Sequence, residues 1–321
     1  MKAIAQDVLQ HLSRWLNEEN DQPVWLCTIV ATVGSSPRPV GAMLACNHRG
    51  EQVGSLSGGC VEDDLLARLE AGTLSAERPT MIEYGVTAEE NERLGLPCGG
   101  RLHVLVETLC HSDLDWVEAV LQALEARRCV QRQCSLANGH SEVSNVQRFH
   151  PLSMDENALT QCFGPSQRML LVGAGQLSQS LAELATAMDY EVIVTDPRQR
   201  MLDAWEGPDV QRQAGMPDDA VRALADDDHS VIITLTHDPR IDDMALMEAL
   251  ETRAWYVGAL GSARTTEKRL QRLRQLDVPE SAIDRLHAPV GLSIGSKTPV
   301  EIAVSIMAQV TQLRVARERS E

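Results

Sequence analysis

A short apolar run that passes through a glycine turn into helical sequence constrains the fold of this chain more than any other feature. The stretch RMLLVGAGQLSQSLAELATAMDYEVIVTDPR, residues 168–198, has the pattern of a buried strand, a turn, a helix and a second strand that ends at Asp196. Strand-like runs recur downstream at HSVIITLTHD, AWYVGALGS and HAPVGLSIG, with helical sequence between them. Strands that alternate with helices form parallel sheets, so the sequence predicts a Rossmann-like, doubly wound α/β domain over residues 168–321.

The turn GAG in this stretch matches the first two glycines of the dinucleotide-binding fingerprint. Gly173 suits the tight turn, and Gly175 lets the backbone approach a pyrophosphate at the helix N-terminus. Asp196 ends the second strand, where an acid can accept hydrogen bonds from a ribose. Arg198, two residues later, is interpreted either as a phosphate ligand or as a solvated side chain. One fold hosts many ligands, so this pattern predicts the fold and leaves NAD(P) or another nucleotide as a candidate ligand.

Ligands of open α/β sheets bind beyond the carboxyl ends of the strands, so the residues that follow each strand are candidates for binding. His237 follows the run VIITLT, and it is interpreted either as an acid–base partner of Asp238 or as a histidine that caps the next helix. Gly261 and Ser262 follow the run YVGALG at the same predicted edge.

The first half of the chain has the pattern of a mixed α+β domain. Helical spacing of apolar residues covers residues 2–18 and 113–128. Strand-like runs with turns between them occur at PVWLCTIVAT, AMLACN, TMIEYG, RLHVLVETL and CVQRQCSL. The polar stretch that follows predicts the end of a hairpin and then a linker. These patterns divide the chain into a mixed domain over residues 1–150, a linker over 151–167 and the Rossmann-like domain.

The bulk composition argues against some classes of function. The 321 residues carry a formal net charge of -17, and a field of that sign repels nucleic acid and anionic lipid. No apolar run approaches the length that spans a membrane, and the N-terminus lacks the unbroken apolar core of a signal peptide. The eight cysteines form no CxxC pair, which favours free thiols in a reducing compartment. We therefore expect a cytoplasmic protein that binds neither nucleic acid nor membranes.

Three glycine-rich motifs distinguish the first half of the chain. They are VGSSPRPVGAMLA (33–45), GSLSGGCVEDDL (54–65) and LPCGG (96–100). Together with VGAG, THDPRIDD, YVGALGSARTTEKRL and APVGLSIGSKTPVEIAVSI in the second half, they closely resemble the xanthine dehydrogenase accessory family, also called the XdhC/CoxI family. The resemblance keeps the order of the motifs over nearly the whole chain. It implies an XdhC/CoxI-type N-terminal domain followed by the Rossmann-like domain.

The resemblance implies a cytosolic chaperone for the molybdenum cofactor, a molybdopterin that carries molybdenum. Such proteins bind the cofactor, protect it while a cysteine desulfurase supplies a terminal sulfido ligand, and deliver it to an apo molybdenum hydroxylase of the xanthine dehydrogenase or aldehyde oxidase type. They are usually homodimers. The chain departs from the family pattern at Gln176, Ser178, Ser293 and Ser296, which leaves the ligand of the second domain open. A cytosine dinucleotide form of the cofactor, made by a nucleotidyltransferase, is one alternative.

A site for this cofactor needs backbone amides close to its phosphate and a soft ligand for its metal. Cys60 comes directly before the predicted helix VEDDLLARLE, where a thiol is readily deprotonated, and it is a candidate molybdenum ligand. Cys98 is the second candidate thiol. The alternative interpretation of Cys60 and of Cys98 is a buried cysteine whose neighbouring glycines only shape a turn. The planar guanidinium of Arg38 is suited to donate to phosphate or pterin oxygens. The alternative role of Arg38 is a salt bridge with one of the acids in Glu62–Asp64.

The predicted cofactor-binding residues lie in the motifs of both halves. In the first half they are Ser35, Ser36, Arg38, Gly41, Ser57, Gly58, Gly59, Cys60, Cys98, Gly99 and Gly100. In the second half they are Gly173, Gly175, Asp196, Arg198, His237, Gly261 and Ser262. Two enzymatic alternatives stay open: a NAD(P)-dependent oxidoreductase that uses the Rossmann-like domain, and a persulfide-carrying sulfurtransferase that relays sulfur through Cys60 and Cys98.

Overall fold

The computed structural model of the chain describes residues 2–18, 22–34, 36, 38–74, 78–94, 100–147 and 149–320. The chain divides into two compact units, Met1–Pro165 and Ser166–Glu321. The first unit has two sheets and the second has one, and each unit has its own buried core.

The first unit contains two antiparallel sheets and the helices that cover them. One sheet has five strands in the order β3-β2-β1-β5-β4, and the other has four in the order β7-β6-β9-β8. The strands are β1 (Val24–Val33), β2 (Met43–Asn47), β3 (Gln52–Gly54), β4 (Thr80–Tyr84), β5 (Arg101–Leu109), β6 (Val130–Ser135), β7 (Ser141–Asn145), β8 (Ser153–Met154) and β9 (Ala158–Phe163). The helices are α1 (Lys2–Glu18), α2 (Cys60–Glu70), α3 (Ala88–Arg93) and α4 (Leu114–Glu125), with a 3-10 turn at His111–Asp113. This is the mixed α+β domain that the sequence predicts.

Alternation along β1 and β2 sends successive side chains to opposite faces of the five-stranded sheet. On one face, Leu26 and Met43 belong to a core shared with α1 and α4. On the other face, Cys27 packs in a core with Val61 and Leu65 of α2. Burial raises the pKa of the Cys27 thiol, so this cysteine behaves as a small apolar side chain. The buried face of α2 fixes the position of the glycine loop that precedes it.

The segment 151–167 differs from the linker that the sequence predicts. It contains β8 and β9, and β9 pairs with the whole of β6, from Val130 opposite Phe163 to Ser135 opposite Ala158. Leu159 and Phe163 are buried in the cores of the first unit. The sequence pattern resembles a linker because polar residues surround these apolar positions. The first unit extends to Pro165 rather than to residue 150.

The second unit is the predicted doubly wound domain. Its six strands are all parallel, in the order β12-β11-β10-β13-β14-β15. The strands are β10 (Arg168–Val172), β11 (Glu191–Asp196), β12 (Gln211–Ala214), β13 (Ser230–Thr234), β14 (Tyr256–Ala259) and β15 (Leu286–His287). The helices are α5 (Gln176–Ala187), α6 (Gln199–Asp203), α7 (Pro217–Leu224), α8 (Pro239–Glu251), α9 (Ala263–Gln275), α10 (Glu280–Ile283) and α11 (Pro299–Ser320). The strand order reverses between β10 and β13, which is where such sheets bind their ligands.

The run HAPVGLSIG, predicted as a strand, contributes little to this sheet. Only His287 of the run lies in β15, which ends there. Beyond it, Gly291 and Gly295 have φ angles of +97° and +80°, left-handed values that an extended strand does not use. The chain then enters α11, which begins at Pro299. Within the residues that the structure describes, no helix combines the length and the apolar character that a membrane span requires.

Candidate functional site

The described parts of the three glycine-rich motifs adjoin strand ends at the same end of the five-stranded sheet of the first unit. Val33, the last residue of β1, pairs with Arg101, the first residue of β5, so the segments that follow β1 and precede β5 begin side by side. The carboxyl end of β3 lies beside the amino end of β2, where the Ser55 N–H donates to the Met43 carbonyl at 3.0 Å. Because neighbouring strands are antiparallel, this is the same end of the sheet, and the loop to α2 begins there.

Cys60 is the first residue of α2, and its thiol is exposed. Gly58 has a φ angle of +83°, in the left-handed region that favours glycine. A Cβ placed on Gly58 or Gly59 would have no described atom within 4 Å, so the described residues leave the surface next to the thiol open. Cys60 is therefore not the buried cysteine of the alternative interpretation, and its role as a ligand stays a prediction.

The loop before Cys60 is wrapped around the buried side chain of Glu62. The carboxylate accepts hydrogen bonds of 2.8–3.1 Å from the backbone N–H groups of Leu56, Ser57, Gly58 and Gly59, and it also accepts from the hydroxyls of Ser55 and Ser57. Burial by itself would raise the pKa of Glu62, but the bonds from Ser57, Gly58 and Gly59 outweigh it and lower the pKa to about 2. Glu62 is ionised at neutral pH, and its charge holds the loop in one shape.

This arrangement corrects the sequence-based expectation for the loop amides. The sequence predicts that they bind the phosphate of a cofactor, but the amides of Gly58 and Gly59 donate to Glu62. A ring of backbone N–H groups binds one anion, and here the chain supplies that anion itself. A cofactor on this loop would therefore contact its open surface and the Cys60 thiol rather than the amides.

Arg38 belongs to the turn that connects β1 with β2. The Ser36 hydroxyl donates to the Arg38 carbonyl at 2.6 Å, and Arg38 is half-buried. Two of the acids that the sequence offers as its salt-bridge partners are engaged elsewhere. Glu62 is held by the loop, and Asp64 pairs with Arg93 at 2.9 Å. The Arg38 guanidinium therefore stays a candidate for an anionic ligand.

Gly41 and Gly100 are further predicted residues at this end of the sheet. Gly41 has a φ angle of +87°, and no described atom lies within 4 Å of a Cβ built on it. Gly100 is buried, and its carbonyl leaves no room for a Cβ on Gly85, so two backbone segments touch there. The predicted residues that fall outside the described part of the chain are Ser35, Cys98 and Gly99.

Gly173 and Gly175 form the turn between β10 and α5 in the second unit. Gly173 has a φ angle of +111°, and a Cβ on it would lie 2.8 Å from the Thr236 methyl group. Gly175 has a φ angle of −92°, and a Cβ on it would meet no described atom within 4 Å. The buried hydroxyl of Ser178 donates to the Gly173 carbonyl, so the departure from the family pattern at this position braces the turn. The fold requires Gly173, whereas Gly175 leaves space for a ligand.

Replacing Gly173 with alanine is expected to destabilise the second unit, and the same change at Gly175 is not. The new methyl group at position 173 would stand 2.8 Å from the Thr236 methyl in a left-handed conformation. Such strain and overpacking cost about 1–3 kcal/mol. At position 175 the space is open, so we expect a change within about 0.5 kcal/mol. Urea unfolding of both variants measures the difference, and equal midpoints would contradict this account.

Asp196 and Arg198 form a closed ion pair at the end of β11. Asp196 is fully buried, and Arg198 donates to its carboxylate from Nε and from Nη2, each at 2.8 Å. The Ala174 N–H donates to the same carboxylate at 2.9 Å. Burial would raise the pKa of Asp196, but the bonds from Arg198 and Ala174 outweigh it and lower the pKa. The acid predicted to bind a ribose is therefore occupied by donors of the protein itself.

The carboxylate of Asp238, the proposed acid–base partner of His237, is likewise occupied. Asp238 caps α8 by accepting from the Arg240 N–H at 3.0 Å, and it pairs with the Arg240 guanidinium at 2.8 Å. The bonds from Arg240 lower the pKa of Asp238 to about 2. His237 is exposed, and the cap that the sequence assigns to it is supplied by Asp238.

Gly261 and Ser262 serve the N-terminus of α9. The Ser262 hydroxyl accepts from the Thr265 N–H at 3.2 Å, and the Thr265 hydroxyl accepts from the Ser262 N–H at 2.6 Å. A Cβ on Gly261 would lie 2.7 Å from the Thr265 hydroxyl, so glycine is needed there. Both residues lie at the predicted edge, and both have a structural role in capping the helix.

Sequence reasoning missed a buried ion pair beneath this edge. Arg269 donates to Asp242 at 2.9 Å and to the Leu260 carbonyl at 3.0 Å, and Asp242 accepts from the Thr236 hydroxyl at 2.7 Å. The pair thus ties the loop after β13 to the loop after β14. The sequence contained a signal for this ion pair. Asp242 lies three residues before Ala245 on the buried face of α8, where an acid needs a partner of opposite charge.

The fold and the site define a two-domain protein in which a thiol-bearing glycine loop on an antiparallel sheet precedes a Rossmann domain. The chain belongs to the XdhC and CoxI family. One family model, described as the XdhC and CoxI family, matches residues 18–85, and a second, the XdhC Rossmann domain, matches residues 169–310. Both matches agree with the expectation from the motifs.

Three similar proteins cover most of the chain. One is a probable xanthine dehydrogenase subunit of Bacillus subtilis (strain 168), 29% identical over 322 residues, with 92% of this chain and 94% of that protein covered. Another is the molybdenum cofactor insertion chaperone PaoD of Escherichia coli (strain K12), 29% identical over 294 residues, with 91% and 84% covered. A crystal structure named as a xanthine dehydrogenase from Bacillus halodurans superimposes with a TM-score of 0.76 at 28% identity, with 98% and 97% covered.

Proposed function

We propose that this protein is a molybdenum cofactor-binding chaperone that protects the cofactor, supports its sulfuration and delivers it to an apo molybdenum hydroxylase of the xanthine dehydrogenase or aldehyde oxidase type. The observation that carries the proposal is the exposed Cys60 thiol at the start of α2. Membership of the XdhC and CoxI family and the similarity to PaoD support it. The chaperone would work in the cytoplasm as a homodimer, with a cysteine desulfurase and a nucleotidyltransferase as further partners.

The residues present fit such a cargo. A thiolate is a soft ligand that suits molybdenum, and Cys60 is accessible to a metal that arrives with a bulky pterin. Gly58 and Gly59 have no described atom near their Cβ positions, which leaves room for a flat ring against the loop. The phosphate would be bound by the half-buried Arg38, whose planar guanidinium matches phosphate oxygens.

The composition of the purified protein tests this proposal. Protein purified without air from cells that make the cofactor is expected to carry molybdenum, measured by mass spectrometry, and a fluorescent pterin after oxidation. Protein from cells that cannot make the cofactor is the control, and it is expected to carry neither. A protein that is free of both and also takes up no added cofactor would contradict the proposal.

A further inference from the structure

The acid that completes the dinucleotide fingerprint has no capacity left for a ribose. Oδ1 of Asp196 accepts from the Arg198 N–H at 2.9 Å and from Nε at 2.8 Å. Oδ2 accepts from Arg198 Nη2 at 2.8 Å and from the Ala174 N–H at 2.9 Å. A carboxylate offers about four acceptor sites, so these four bonds saturate it.

A Rossmann domain that binds NAD uses this acid to accept hydrogen bonds from the hydroxyls of the adenosine ribose. Here a ribose diol would have to displace a guanidinium from a carboxylate that is fully buried. Breaking such a pair leaves a buried charge without its partner, which is strongly unfavourable. The residues at this edge therefore do not fit the unphosphorylated ribose of NAD.

Arg198 changes what the same edge can recognise. Its pairing with Asp196 uses Nε and Nη2, and its side chain is 37% exposed, so part of this side chain is accessible to a ligand. A guanidinium near the end of the second strand is suited to a phosphate on the ribose, through charge-assisted hydrogen bonds. The space at Gly175 accommodates the pyrophosphate of the same nucleotide.

We infer that the Asp196–Arg198 pair makes the second unit select a dinucleotide with a phosphate monoester on its adenosine ribose, and reject the corresponding diol. This inference goes beyond the proposed chaperone function and does not depend on molybdenum. The selection comes from the Arg198 guanidinium, which neutralises Asp196 and also binds the phosphate on the ribose. It assigns the ribose end of the Rossmann site to Arg198 rather than to Asp196.

Titration of the full-length protein with NADPH and with NADH, followed by nicotinamide fluorescence, tests the inference. NADPH is expected to bind at least about tenfold more tightly, the effect of a hydrogen bond between charged groups. Competition by 2′,5′-ADP but not by 5′-AMP is expected to locate the selectivity at the ribose phosphate. Equal or tighter binding of NADH, or no measurable binding of NADPH, would overturn the inference.

Arg198→Ala is expected to abolish the preference, because it removes the phosphate ligand and frees Asp196 for a ribose. Arg222→Ala is the matched control, since Arg222 on α7 donates to Glu248 from Nε and Nη2 in the same way. It is expected to leave the preference unchanged. The wild-type comparison stands even if Arg198→Ala fails to fold. Molybdenum measured on the wild-type preparations separates the two proposals: a wild-type protein that carries molybdenum but shows no preference for NADPH overturns only this inference.

Discussion

Cys60→Ala is expected to lower the molybdenum that copurifies with the protein by at least about tenfold. Changes to groups that only support metal ligands already cost about 10–100-fold in metal affinity, and here the ligand itself is removed. The thiol is exposed at the first residue of α2, so its loss leaves the core intact. Molybdenum and pterin per protein, measured after purification without air, give the result.

Cys110→Ala is the matched control for this variant. Cys110 is also an exposed thiol of the first unit, but it lies beside the 3-10 turn, where its sulfur contacts the Ser112 hydroxyl at 3.1 Å. Its replacement is expected to leave the molybdenum content unchanged. A Cys60→Ala protein that keeps its cofactor but no longer supports sulfuration would contradict the ligand role and favour the sulfur relay.

Glu62→Gln is expected to destabilise the first unit by about 3 kcal/mol at neutral pH. Folding lowers the pKa of Glu62 from 4.5 to about 2, and each pKa unit corresponds to about 1.4 kcal/mol. Because the pKa is lowered in the folded state, this stabilisation is complete above pH 4.5 and is lost as the pH falls through about 2. The glutamine amide would also point a donor at the N–H groups that now donate to the carboxylate. Urea unfolding at pH 7 measures the loss.

Asp63→Asn removes a charge from the same helical turn and serves as the control. Asp63 is exposed, so the change is expected to stay within about 0.5 kcal/mol. We also expect Glu62→Gln to lower molybdenum retention while Cys60 is still present, because the loop that presents the thiol loses its shape. Equal stability of the two variants would show that the bonds to Glu62 contribute little.

The secondary structure could be predicted where the hydrophobic pattern is strong. The helix over residues 2–18 and the strand that became β1 follow from local periodicity, as do the strand–turn–helix–strand elements from β10 to β11. The pattern failed at β9, whose apolar residues are spaced among polar ones, and at the run HAPVGLSIG, where left-handed glycines interrupt an apolar sequence. The structure of β9 depends on its pairing with β6, which is distant in sequence, and that of HAPVGLSIG depends on the backbone conformation of its glycines.

The local backbone structure of some candidate residues was predicted, but the partners of the acids were not. The motifs placed Cys60 at a helix start and Gly173 in a tight turn, and the structure puts both there. The partners of the acids could not be derived, because nothing local distinguishes an acid that caps a helix from one that is surrounded by donors. Glu62 was considered as a salt-bridge partner of Arg38 and Asp196 as the acid that binds a ribose, and each is instead saturated by donors of its own chain.

The amino-acid sequence alone determined the doubly wound second unit and the positions of the glycine turns, because periodicity and glycine conformation are local properties of the chain. Only the tertiary structure decided that the loop amides bind Glu62 and that Arg198 neutralises Asp196. The physical reason is that a buried charge takes whichever donors folding brings within about 3 Å of it. Those contacts are made by the fold as a whole, and they determine which surfaces remain for a ligand.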